Sequence, residues 1–115
     1  MMDNGAGHPA RSLRIMLPVE VAALGVNRRV GETAIVPIEL TGSGVSSCRV
    51  SAKSSSNAIL LKMAATDLDL DADGKAATSL AVQVLAPSEK VWIQVDAVGD
   101  GEIPQTSGFF MRGDV

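Results

Sequence analysis

Aromatic rings are scarce in this chain: no Tyr, one Trp and two Phe among 115 residues. Sugar-binding sites usually rely on ring platforms, so carbohydrate recognition has little material to work with. Cysteine occurs once, at Cys48. An intramolecular disulfide is therefore excluded, and a small disulfide-stapled scaffold with it. A bridge to another chain through Cys48 stays open. Histidine also occurs once, at His8 in the polar opening "MMDNGAGHPARS". A catalytic triad needs a base held by a third group, and a Cys/His metal centre needs more ligands than these two residues supply. No apolar run approaches the length of a membrane span. The opening lacks the apolar segment of a secretory signal, so synthesis in the cytosol is expected. Excess positive charge is missing too. Ten basic and thirteen acidic residues give a net charge of -3, and only Arg28 and Arg29 are adjacent basic residues. Such a chain has no electrostatic footprint for duplex DNA or anionic lipid.

What is present is a globular composition, 46% hydrophobic and 20% charged, in a length that fits one domain. The dominant period is two. Leu13, Ile15 and Leu17 alternate with Arg14 and Met16, and Val19, Val21 and Ala23 follow Pro18. Val36, Ile38 and Leu40 oppose Ile35, Pro37 and Glu39, while Cys48, Val50 and Ala52 oppose Ser47, Arg49 and Ser51. The same rhythm runs through "NAILLKM", "SLAVQV", "VWIQVDA" and the closing "GFFMR". Half-buried antiparallel strands carry this signature. Cys48 reads as a small core side chain by its phase. Turn residues separate the runs, among them Gly42-Ser43-Gly44, Asp73-Gly74 and Gly99-Asp100-Gly101. Strands of about five to eight residues between such turns predict a sandwich or barrel. Pro37 cannot donate to a ladder, which puts it at an edge or a bulge. Residues 1–12 read as a flexible N-terminal arm and residues 13–115 as the β domain.

Two stretches resemble bacterial immunoglobulin-like domains of the invasin and intimin kind. One is "VNRRVGETAIVPIEL". The other is "LDLDADGKAATSLAVQVLAPSEKVWIQVDAV", where an Asp-rich turn with Gly74 and Lys75 opens a long strand. Together they cover roughly a third to a half of the chain. The resemblance implies an immunoglobulin-like β-sandwich of roughly seven to nine antiparallel strands, and it brings no catalytic residues. Without Tyr there is no tyrosine corner, and with one Cys there is no inter-sheet disulfide.

The densest chemistry sits in "DLDLDADGK". Asp69, Asp71, Asp73 and Gly74 match the opening of a calcium-binding EF loop, but its twelfth position, which should supply a bidentate Glu, is Leu80. A simpler calcium site on Asp67, Asp69, Asp71 and Asp73 stays open beside the plainer reading, a solvated strand entering an Asp-Gly turn. No other cofactor is expected. Arg112-Gly113-Asp114 spells an integrin-recognition tripeptide, which works only when displayed at a loop tip. Composition leaves a glycosidase pair of carboxylates open, but such a pair would also need a cleft, usually with aromatic platforms, and aromatics are only 3% of the chain; no enzyme is expected.

Trp92 is the candidate contact residue. Val91, Ile93, Val95 and Ala97 share one face, and Trp92 shares the other with Gln94 and Asp96. Burying the second face would bury an aspartate, at several kcal/mol if it were unpaired. Trp92 is therefore expected outside, either lying flat over a neighbour such as Arg14 or Lys62 or serving as a partner contact. Met16 and Ile35 also read outward, and one shared face would make an apolar patch. The expected function is a non-catalytic structural or binding module. Small β-sandwiches of this kind resemble capsid decoration or cement proteins of tailed bacteriophages. That implies synthesis in the host cytoplasm and a place on the virion surface, with capsid subunits or copies of the chain as partners. His8 and Arg11 would then be arm contacts. The alternative is a cell-surface or secreted immunoglobulin-like adhesion module, calcium-stabilised through the Asp run.

Overall fold

A computed structural model describes residues 11–100 and 103–115 of the chain. Among these residues nine strands and one short helix run in the order β1 (Ser12–Met16), α1 (Val19–Leu24), β2 (Val26–Arg29), β3 (Thr33–Ser43), β4 (Ser47–Ser54), β5 (Ile59–Met63), β6 (Asp67–Asp69), β7 (Lys75–Val84), β8 (Ser88–Gly99) and β9 (Ile103–Asp114). They form two sheets. One has the order β1-β3-β7-β5 and the other β2-β9-β8-β4-β6. In immunoglobulin terms these are the ABED layer and the layer built on G, F and C.

The core lies between the sheets and follows the alternation. Val36, Ile38 and Leu40 of β3 and Leu80, Val82 and Val84 of β7 fill it from the four-stranded side. Val50 of β4, Val91, Ile93, Val95 and Ala97 of β8, and Phe109 and Met111 of β9 fill it from the other. Cys48 is buried among them, as its phase implied. Among the described residues no polar or charged residue is buried as a whole, and Ser88 Oγ is the buried side-chain polar atom that finds no hydrogen-bond partner.

Three features depart from a simple succession of antiparallel strands. Val19, Val21 and Ala23 alternate as a strand would, yet Val19–Leu24 is a helix. Five residues of alternation cannot separate the two forms. Here Pro18 stops the ladder of β1, and its carbonyl accepts the N–H of Ala22 at 3.0 Å. Gly25 ends the helix at φ 77°, where a Cβ would meet the carbonyl oxygen of Phe110 at 2.6 Å. Second, β2 pairs with β9 in parallel, because the chain leaves the first sheet through α1 and joins the second. Third, the turn Gly42-Ser43-Gly44 carries the chain across the sandwich, because β3 and β4 lie in different sheets.

Pro37 stands at a local edge, as its missing donor requires. β1 pairs with β3 only as far as Met16 opposite Glu39. Ser79, the partner of Pro37 in β7, turns its carbonyl away to accept the N–H of Ala64 at 2.9 Å. The nitrogen of Pro37 therefore faces the side that β1 has already left.

Candidate interaction surface

Trp92 lies on the outer face of the five-stranded sheet, half-buried and opposite Phe110 in the β8–β9 ladder. The two rings meet edge to face, with centroids 4.9 Å apart and planes at 62°. Lys90 places its Nζ 4.8 Å from the centre of the Phe110 ring. Gly108 makes this arrangement possible, because a Cβ there would run into the indole of Trp92 and come within 2.5 Å of the Ile93 carbonyl oxygen. The backbone is pinned as well. Trp92 N–H donates to Ser55 Oγ at 3.0 Å, and Ser55 N–H donates to the Trp92 carbonyl at 3.0 Å. The indole is thus held by β9 and not by Arg14 or Lys62, which stand on the opposite sheet.

The polar neighbours on this face satisfy one another. Asp96 accepts from Gln94 Nε2 at 3.0 Å and from Thr106 Oγ1 at 2.8 Å. The expectation that this face could not be buried holds. Phe110, 46% exposed, and Lys90 complete the cluster. Sequence reasoning missed both. The signal was in "GFFMR": adjacent phenylalanines must point to opposite faces of a strand, so one of the two had to stand outside.

The single patch of Trp92 with Met16 and Ile35 does not form. Met16 lies on β1 and Ile35 on β3, both on the outer face of the four-stranded sheet, with the whole sandwich between them and Trp92. In and out can be read from alternation, but which outside cannot. Arg11 is exposed just before β1, and its charge helps hold the carboxyl of Asp100 below the usual carboxylate range. The larger cause of that lowering is the hydrogen bond from the Ser46 hydroxyl, supported by the Ser46 N–H. His8 lies outside the described residues.

Asp69, Asp71 and Asp73 are not brought together as ligands. Among the described residues no three His, Cys, Asp or Glu side chains are placed to share a metal ion. Asp71 instead shapes the turn, its Oδ1 accepting from the N–H groups of Asp73 and Lys75, each at 2.9 Å. Gly74 follows at φ 74° and packs against the Gly42 backbone, donating no room for a side chain. Asp69 stands exposed on β6. The tripeptide Arg112-Gly113-Asp114 is part of β9, not a loop tip. Gly113 is buried, Arg112 Nε bonds Asp114 Oδ1 at 2.8 Å, and Asp114 sits opposite Arg29.

No protein-family model matches the chain, and no curated protein matches it at a significant level. Solved structures do. A FixG-related protein from Vibrio parahaemolyticus superposes with a TM-score of 0.62 at 8% identity, over 91% of this chain and 97% of that one. The BIgI domain of the beta protein from S. agalactiae, solved bound to CEACAM1, gives 0.52 at 11% identity, over 90% and 97%. The fold is immunoglobulin-like. An ASH/PapD-like domain of human CEP192 agrees, with a TM-score of 0.52 at 13% identity over 89% of this chain and 83% of that one. At these identities the likeness concerns the fold, and the residues of the Trp92 cluster belong to this chain's own reading.

Proposed function

We propose that this immunoglobulin-like domain is a non-catalytic binding module that engages a protein partner through the outer face of its five-stranded sheet. The observation that carries this reading is the Trp92–Phe110–Lys90 cluster. A half-buried indole on the outer face, braced by a second ring and held over a glycine, loses little freedom on binding, and Trp is enriched among interface anchors. Five carboxylates are engaged locally: Asp67 with Arg49, Asp71 with its turn, Asp96 with Thr106, Asp100 with Ser46 and Asp114 with Arg112.

Two settings supply such a partner. In the first, the domain decorates an assembled viral shell and the face docks on capsid subunits. In the second, it is a cell-surface or secreted adhesion module. The fold likeness to the BIgI domain, solved bound to CEACAM1, favours the second. The first draws on the N-terminal arm, whose first ten residues lie outside those described.

A photo-reactive benzoylphenylalanine at position 92, in the cell that produces the protein, tests the proposal. A discrete adduct suppressed by excess wild-type chain, but not by excess Trp92→Ala, is expected. Loss of a Trp anchor typically weakens binding by about 30-fold or more. No discrete adduct, or the same adduct from a probe at Lys62 on the opposite sheet, overturns it. The adduct's identity, shell subunit or surface receptor, separates the two settings.

A further inference from the structure

The outer face of the four-stranded sheet is built differently from the face carrying Trp92. Along its middle runs β7, whose central outward residues Ala77, Ser79 and Ala81 are small, between Lys75 at one end and Gln83 at the other. On one side rises β3 with Ile35 and Pro37, and beyond them α1 with Val19 and Leu24. On the other side stands β5 with Leu60 and Lys62. The face is therefore a ridge beside a trough, one strand spacing apart. Ile35 is 64% exposed, Leu60 52%, and Val19 and Leu24 83% each.

We infer that this face is the contact between two copies of the chain, related by a two-fold axis running along the strands between β3 and β7. That operation lays the β3 ridge of each copy over the β7 trough of the other. Ile35, opposite Ala81 in its own sheet, then meets the partner copy's Ala81. The same operation carries β5 of one copy onto α1 of the other. Leu60 comes against Leu24, and Lys62 comes to the flank where Glu20 lines the cleft with Leu24 and Ile35. The pairing is complementary in charge and identical in both directions, as a two-fold contact must be.

The area is adequate. Met16, Val19, Leu24, Ile35 and Leu60, spread over β1, α1, β3 and β5, together leave on the order of 500–600 Å2 in water. With their polar rim they approach the roughly 800 Å2 per partner of a standard interface. This contact is on the side of the sandwich away from Trp92, so it stands apart from the proposed partner site. A dimer formed this way presents two Trp92 faces outward, which multiplies the affinity of any clustered partner through effective concentration.

Sedimentation equilibrium of the full chain from micromolar to millimolar concentration tests it. The expected result is a monomer–dimer equilibrium. Ile35→Asp should shift the dissociation constant upward by at least tenfold while leaving the Tm of the exposed site's fold nearly unchanged. Glu20→Lys should weaken the dimer, and Lys62→Glu in the same chain should restore it. A chain that stays monomeric at millimolar concentration overturns the inference. So does a dimer that Ile35→Asp leaves intact, or a charge swap that fails to restore association.

Discussion

Phe109 and Phe110 are the same residue type, adjacent in the chain and in the same strand, yet they should respond very differently to truncation. Phe109 is 1% exposed and fills the core, whereas Phe110 is 46% exposed on the outer face. A phenylalanine buries roughly 150–250 Å2, which at ~25 cal/mol per Å2 amounts to about 4–6 kcal/mol for full burial. Phe109→Ala should therefore cost about 3–5 kcal/mol, cavity included. Phe110→Ala removes only about half that area, partly replaced by the Ala methyl. It also removes the edge contact to Trp92, worth about 0.5–1.5 kcal/mol, and the Lys90 contact, about 0.5–1 kcal/mol. Part of this overlaps with the area already counted, and a total of about 1–2 kcal/mol is expected. Urea unfolding followed by circular dichroism reads both variants through the shift in midpoint. Trp92 is the chain's single tryptophan, so native-state emission adds a second readout. It should change in Phe110→Ala and stay near wild type in Phe109→Ala. Should Phe109→Ala fail to fold, Phe109→Leu and Phe110→Leu carry the same comparison at a smaller scale, about 1 kcal/mol against a few tenths. Equal costs at the two positions, or a larger cost at Phe110, would refute the facing of β9 and the interaction surface built on it.

Asp71 and Cys48 carry further expected outcomes. Asp71→Ala removes the acceptor for two backbone N–H groups and should lower stability by about 1 kcal/mol, whereas a calcium chelator should leave the wild-type Tm unchanged. A chelator-induced drop would restore the calcium reading of the Asp run. The Cys48 thiol is pushed up, first by burial and then by the charge of Asp100. Folding therefore favours the protonated thiol. Its contribution to stability is full below the ordinary thiol pKa, about 8.5, and is lost as pH rises through the higher folded-state value. Native Cys48 should react slowly with a thiol reagent, and urea midpoints should fall from pH 7.5 to pH 10 more steeply in the wild type than in Cys48→Ala. Parallel slopes would refute it.

The amino-acid sequence by itself determined which segments extend and which side chains turn inward. Val91, Ile93, Val95 and Ala97 could go only one way, because the opposite choice would bury Asp96 without need. The same logic placed Trp92 outside and Cys48 within. Pro37 announced an edge or a bulge, since a residue without an N–H has to face an unpaired side, and the pairing of β1 with β3 decided for a local edge. The helix Val19–Leu24 was not legible, because a short alternating run satisfies both periods and only Pro18 and Gly25, acting in three dimensions, decide between them. Which sheet each strand joins was decided by tertiary structure alone. Alternation distinguishes core from solvent but says nothing about which of two outer faces a side chain occupies. Trp92 was therefore grouped with Met16 and Ile35, although the sandwich separates them. Its true cross-strand neighbour, Phe110, comes from pairing register, a property of strands meeting across sequence distance that no single strand encodes. Lys90, two residues before Trp92 on β8, was legible from the strand itself.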